Sequence, residues 1–259
     1  MLEVRNARCV FFRGLPDEKV ALDGLNLSLA SGDFAIVIGS NGAGKSTLLN
    51  AISGALMLDE GRIEINGDDV TAMPVHRRAF HVARVFQDPM KGTASSMTIA
   101  ENMLLAEMRQ SRPRLRKGLT AARRARYREE LSYLGLGLEN RLDTEVSLLS
   151  GGQRQSLSLV MAVSARPDIL LLDEHTAALD PRTADLVLDA TLRAVTALKL
   201  TTLMVTHNMQ HALDYGNRLV MLDGGRVVLE LDSEAKARTT VPELVGHFSV
   251  KSDRMLLGG

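Results

Sequence analysis

Gly39-Ser40-Asn41-Gly42-Ala43-Gly44-Lys45-Ser46-Thr47 follows a continuous apolar run, Phe34 to Ile38, and leads into residues suited to a helix, Lys45 to Ser53. This order of strand, glycine loop and helix constrains the fold more than any other feature of the chain. Glycines let backbone N–H groups turn inward and approach phosphate oxygens without a Cβ clash, and the following helix points its positive end at them. Lys45 supplies a point charge for the β- and γ-phosphates, and the Ser46 hydroxyl suits Mg²⁺. An ordinary glycine turn leaves the Lys-Ser pair unexplained. The stretch Gly39 to Thr47 is therefore expected to hold a nucleoside triphosphate in an α/β fold.

A second apolar run, Ile169-Leu-Leu-Leu, ends in two adjacent carboxylates, Asp173 and Glu174. Open α/β sheets bind ligands at the C-terminal edge of their strands, where such a pair can serve a hydrated Mg²⁺ and polarise a water. Leu149-Ser150-Gly151-Gly152-Gln153 reads as another glycine-framed helix start and thus a second anion site. Asp180-Pro181 is a further helix start, with Asp as cap and Pro in the first turn. His81 to Phe86 reads as a strand ending at Gln87, and Thr202 to Thr206 as one ending at His207. Taken alone, Gln87 and His207 are ordinary strand-end residues.

The first thirty or so residues read as strands, with alternation along Val20 to Leu29 and turn chemistry at Arg13-Gly-Leu-Pro-Asp-Glu. Strands are also expected around Gly61-Arg-Ile-Glu-Ile-Asn-Gly, with a short helix near Pro74. From Thr98 to about Ala165 helical patterns dominate, which predicts an inserted helical lobe over 98–165 between core segments 1–97 and 166–232. A hairpin is expected around Asp223-Gly-Gly-Arg226, and a helical tail over 233–259. In 259 residues, 31 acidic side chains balance 31 basic ones, so no global basic field marks a nucleic-acid partner. The single Cys9 excludes an internal disulfide and is expected as a buried strand thiol. The opening residues lack a signal-peptide stretch, and no apolar run approaches the ~20 residues of a membrane span. Any membrane role is expected to be peripheral, through a partner.

With these motifs in this order, the chain resembles the ABC ATPases, the nucleotide-binding subunits of ATP-binding-cassette systems. The resemblance covers essentially the whole chain. It implies a P-loop cassette with a RecA-like core, an N-terminal antiparallel β subdomain and an inserted α-helical subdomain. Val85-Phe86-Gln87-Asp88 is similar to the Q-loop, Leu149 to Gln155 to the family signature, Ala178-Leu179-Asp180 to the D-loop, and Val205-Thr206-His207 to the switch histidine. The resemblance implies ATP and Mg²⁺ as cofactors, with Ser46, Gln87 and Asp173 at the metal. Glu174 is implied as general base, with His207 orienting the γ-phosphate and water, and Lys45 and Gln87 completing the catalytic set. It also implies that Ser150, Gly151, Gly152 and Gln153 of one copy, with Asp180, close over the ATP held by another, in a head-to-tail dimer. An aromatic ring commonly stacks on adenine in this family; Phe11 fits by its distance from Ala21-Leu22, with Phe12 the alternative and one of the two expected in the core.

His175 stands where many family members have proline, and a packing role is expected of it. The strings Asp173-Glu-His-Thr-Ala-Ala-Leu-Asp180 and Phe86-Gln-Asp-Pro-Met-Lys-Gly-Thr-Ala94 resemble an importer subgroup with tryptophan- or tyrosine-type substrates. That implies a subunit on the cytoplasmic face of the membrane, an integral permease and an extracytoplasmic substrate-binding lipoprotein. Two other readings stay open: an ATPase driving a membrane complex that moves no small solute, and a soluble ATPase acting on DNA or ribosomes. Met90, Met97, Met103 and Met108 read either as an adaptable docking groove or as lobe packing. The basic runs at 112–117 and 123–128 read as a solvated face or as a contact with anionic lipid or permease loops.

Overall fold

The computed structural model describes residues 1–109, 118–133 and 135–247. They form two compact units, one made of Met1–Arg78 with the chain from Thr201 onward, the other of Ala79–Leu200. The basic run at 112–117 and the end of the expected tail, 248–259, lie outside the described residues.

The first unit opens with β1 (Leu2–Phe11), β2 (Lys19–Leu29), β3 (Phe34–Gly39), α1 (Lys45–Ser53), β4 (Glu60–Ile65), β5 (Asp68–Asp69) and α2 (Val75–Arg78). The second unit carries β6 (Val82–Val85), α3 (Ile99–Met108), α4 (Ala121–Ser132), α5 (Gly151–Ser164), β7 (Ile169–Asp173) and α6 (Pro181–Leu198). The chain then returns to the first unit with β8 (Thr201–Val205), α7 (Met209–Asp214), β9 (Arg218–Asp223), β10 (Arg226–Leu231) and α8 (Ser233–Arg238).

In the first unit, β1 pairs antiparallel with β2 and β4, and β4 with β5. Along β2, Leu25, Leu27 and Leu29 are buried while Asn26 and Ser28 face solvent, the two-residue period of a half-covered strand. Cys9 is buried in β1, as expected. The strand β3 is different: all six of its residues are buried, and it runs parallel to both β8 and β9. A continuous apolar run suits a parallel strand covered on both faces. The helix α1 ends at Gly54 in the left-handed conformation. There Arg78 donates to the last-turn carbonyls of Ala51 (2.6 Å) and Ile52 (3.4 Å), and to those of Val70, Thr71 (3.0 Å) and Met73 (3.1 Å).

In the second unit, β6 and β7 pair in parallel from Val82↔Ile169 to Val85↔Leu172. The expected helical stretch 98–165 falls within this unit, together with both strands and α6. A capping box of Thr98 and Glu101 starts α3, and α5 buries Leu157, Leu159, Val160 and Val163. Buried Tyr127 donates to Glu107 (2.6 Å), which also pairs with Arg123 and Arg126, while Arg124 pairs with Asp143. Three arginines of the expected basic face at 123–128 thus carry acidic partners of their own. Of the four methionines, Met103 is buried and packs the lobe, whereas Met90, Met97 and Met108 are exposed.

Candidate nucleotide site

Each unit carries part of the expected site. In the first, β3 delivers Gly39 to a loop in which Gly42 and Gly44 take φ of 86° and 101°, a region that L side chains rarely adopt. A Cβ on Gly44 would also lie 2.5 Å from the Ala21 carbonyl oxygen, so the loop closes on β2 only with glycine there. Ser40, Asn41, Gly42 and Ser46 are exposed, Thr47 is half-buried, and Ala43 and Lys45 are buried. Lys45 Nζ donates to the carbonyl oxygens of Gly39 (2.7 Å) and Ser40 (3.0 Å).

No side chain caps α1, and its first turn holds no acid. By contrast, Thr98, Thr120, Ser150 and Asp180 cap α3, α4, α5 and α6. The first N–H groups of a helix lack intrahelical acceptors, which makes a start with no side-chain cap, such as that of α1, suited to an anion. Two further groups belong to this half. His207 is exposed two residues beyond the Val37↔Val205 pair, at the same strand edge as Gly39. Lys19, which the sequence reading did not single out, brings Nζ to 3.3 Å from where a Cβ on Gly42 would stand.

Neither Phe11 nor Phe12 joins the core. Phe11 ends β1 half-buried opposite Lys19, and Phe12 follows with φ 56° and 63% exposure. The expectation of one core ring fails because the first strand pair ends there and the chain turns outward. Both rings border solvent, and Phe11 is the one held in the strand register.

In the second unit, Gln87 and Glu174 each lie two residues beyond the Val85↔Leu172 pair, at one edge of the β6–β7 pair. Gln87 is exposed; Asp173 and Glu174 are half-buried. Glu174 takes φ 44°, left-handed for a non-glycine residue, a conformation that costs on the order of 1 kcal/mol or more and turns the chain sharply after β7. Asp173 is engaged by Arg84, whose Nη2 lies 2.5 Å from Oδ2. Sequence reasoning missed Arg84. The available signal was a charge set inside the apolar strand Val82-Ala-Arg-Val, which calls for a buried partner.

Ser150 caps α5, accepting from Gln153 N (3.3 Å), while Gln153 Oε1 accepts from Ser150 N (3.2 Å). This reciprocal box uses the donors of Ser150 and Gln153, so the N–H groups of Gly151 and Gly152 are the ones a ligand could reach. A Cβ on Gly152 would stand 2.0 Å from Thr183 Cγ2, and one on Gly151 3.6 Å from Leu179 Cδ2. The start of α5 therefore packs on the turn that leads into α6. Asp180 accepts from Thr183 N (3.1 Å), and its hydrogen bonds from the Thr183 side chain and backbone hold its carboxyl below the usual range. Buried His175 sits with Nε2 3.0 Å from Thr191 Oγ1, and burial pushes its pKa down to about 4. It is neutral and packs, as expected.

Among the described residues no three His, Cys, Asp or Glu side chains form a metal cluster. In the first unit Ser46 offers a hydroxyl oxygen, and in the second Gln87 and Asp173 offer amide and carboxylate oxygens; each is a hard donor of the kind that suits Mg²⁺.

A phosphate loop on β3 and an acidic end on β7 define a P-loop nucleotide-binding protein. The family model described as ABC transporter matches residues 22–177. The tyrosine transport ATP-binding protein of Clostridioides difficile is 43% identical over 248 residues, covering 96% of this chain and 98% of that protein. A methionine import ATP-binding protein of Enterococcus faecalis is 36% identical over 89% of this chain, which spans 64% of that protein's length. Among solved structures, a dimeric ATP-binding cassette in a post-hydrolysis state with ADP and Pi matches with TM-score 0.77 and 27% identity, over 90% of this chain and 99% of that one. A nucleotide-free cassette of an ABC transporter matches with TM-score 0.75 and 26% identity, over 92% and 93%. The chain belongs to the ABC transporter family of ATP-binding cassettes. It has the mixed α/β cassette fold, binds ATP, and is an ATPase coupled to transport.

Proposed function

We propose that this ATPase powers the uptake of an amino acid of the tyrosine class, as a pair of copies docked on a separate membrane permease at its cytoplasmic face. An extracytoplasmic lipoprotein would deliver the solute. The observation that carries the reading is the 43% identity to a tyrosine transport ATP-binding protein along nearly the full length of both chains. Among the described residues no helix is long and apolar enough to cross a membrane, consistent with a separate permease.

The site residues take the following parts. The loop amides of Gly39 to Thr47 and Lys45 hold the triphosphate, with Phe11 against the adenine. Mg²⁺, held by Ser46, Asp173 and Gln87, would supply charge neutralisation at the β- and γ-phosphates. Glu174 accepts a proton from the attacking water, and His207 orients that water and the γ-phosphate. Ser150 to Gln153 and Asp180 of the second copy close the site, so that neither copy works alone. Phosphoryl transfer demands mainly positioning and charge stabilisation, and both copies contribute them.

Glu174→Gln tests the assignment. The variant is expected to bind ATP, to turn over about 10²- to 10⁴-fold more slowly, and to accumulate as an ATP-bound dimer in light scattering. Turnover at the wild-type rate would remove Glu174 from the role. Radiolabelled tyrosine uptake into vesicles carrying the co-purified permease tests the substrate class.

A further inference from the structure

Arg84 lies opposite Leu171 in the β6–β7 register, and Asp173 stands two residues on from Leu171, so Arg84 and Asp173 share one face of the strand pair. Arg84 Nη2 reaches Asp173 Oδ2 at 2.5 Å, with the two side chains only 11% and 15% exposed. Its guanidinium carbon also sits 4.8 Å from the ring centre of Phe86, the residue before Gln87. Ion pair and ring together fix the arginine head beside the strand edge that bears Gln87 and Glu174.

A buried ion pair adds little net stability over apolar side chains of similar size. Stability alone therefore does not account for an arginine between Ala83 and Val85. The arginine instead pairs with the carboxylate assigned above to the metal. A bare Asp173 would repel the phosphates of a metal-free nucleotide, and low surrounding dielectric would strengthen that repulsion. We infer that Arg84 is a positioning residue of the nucleotide site: it is the counter-ion that orients Asp173 and cancels its charge, so that a nucleoside triphosphate can enter before its metal is in place. This rests on the proposed role of Asp173. The contact falls on one carboxylate oxygen, Oδ2.

The test is binding of a non-hydrolysable ATP analogue, AMP-PNP, to the full chain by calorimetry, in saturating MgCl₂ and in EDTA. The readout is the ratio of the metal-free to the metal-bound dissociation constant. Arg84→Met is expected to raise that ratio by about tenfold or more, chiefly by weakening metal-free binding, while Arg84→Lys stays within about threefold of the wild type. Where Met disturbs β6, as read by thermal melting, Arg84→Gln is read in the same way, because it keeps an N–H donor without the charge. Equal shifts of both constants, or no shift, would overturn the inference and leave Arg84 a structural strut. Asp173→Asn separates this from the parent reading, and its ratio should fall. If Asp173→Asn leaves the ratio unchanged, the metal role of Asp173 fails and the inference goes with it. If Asp173→Asn moves the ratio and Arg84→Met does not, the inference alone fails.

Discussion

Lys45 curls back so that its ammonium donates to the carbonyl oxygens of Gly39 and Ser40, the first two residues of its own loop. The charge is thereby held against its own loop, in a residue only 7% exposed. Charge-assisted hydrogen bonds to a ligand are worth about 1.5–3 kcal/mol each, so Lys45→Ala is expected to weaken ATP binding by about 10- to 100-fold. Calorimetric titration checks this, with far-UV circular dichroism to confirm that the fold survives. Affinity within about twofold of the wild type would mean that the loop amides alone carry the phosphates.

Gly152 faces Thr183 across the start of α5, where an added Cβ would meet Thr183 Cγ2 at 2.0 Å. Gly152→Ala is therefore expected to destabilise the protein by about 1–3 kcal/mol through overpacking. Removing the offending methyl with Thr183→Ser should restore part of that loss. Urea unfolding of the two single variants and the pair measures the coupling. Additive losses would show that the glycine serves the ligand rather than the packing.

The reach of sequence reasoning varied with the range of the interactions involved. The end of β3, the glycine loop and the Lys45–Ser53 helix were legible because apolar run, glycines and Lys-Ser are contiguous in the chain. The same holds for the Asp180 cap on α6, where Asp-Pro is a local signal. Arg84 and Asp173 lie 89 positions apart, so their pairing depends on the β6–β7 register, which no local pattern encodes. That Phe11 is half-buried and Phe12 exposed likewise depends on where β1 leaves its neighbours, a tertiary property of the strand end. Gln153 shows both levels: its helix start was readable from Ser-Gly-Gly-Gln, while its contact with Arg141 (3.3 Å) was not.

His175 gives the protein a pH dependence whose sign is fixed by burial. Its pKa falls from an ordinary 6.5 to about 4 in the folded chain, because the charged ring would be cut off from water. Between these values the unfolded chain takes up a proton that the folded chain refuses, so stability declines as pH drops from about 6.5 towards 4 and is level above that window. The full contribution is on the order of 3 kcal/mol. His175→Gln, which can still hydrogen-bond Thr191, should flatten this part of the slope in urea midpoints taken between about pH 7 and pH 5. An unchanged slope would assign the acid sensitivity to other groups.

Arg78 closes the far end of α1, the helix whose start is proposed above to receive the phosphates. Its guanidinium donates to Ala51 and Ile52 in the last turn of α1 and to Val70, Thr71 and Met73 in the segment leading to α2. With 1% exposure, it adds buried donors at a helix end whose carbonyls would otherwise turn to water, Ala51 already accepting from Gly54 N. A cation there also complements the negative end of the helix dipole. Arg78→Met keeps much of the volume but removes a donor from these carbonyls, of which those of Ala51 and Val70 keep a backbone N–H from Gly54 and Met73, so a loss of about 1–3 kcal/mol is expected. Gly54 lies against the same side chain, its would-be Cβ 3.0 Å from Arg78 Nε, so Gly54→Ala should produce a smaller loss by displacing the arginine and by straining a φ of 78°. Thermal melting with and without ATP distinguishes the effects. If Arg78 acts only through the far end of α1, ATP should still raise the melting temperature of the Arg78→Met variant, from a lower starting point. Loss of that ATP-induced rise would show instead that anchoring the end of α1 is required to present its first turn to phosphate.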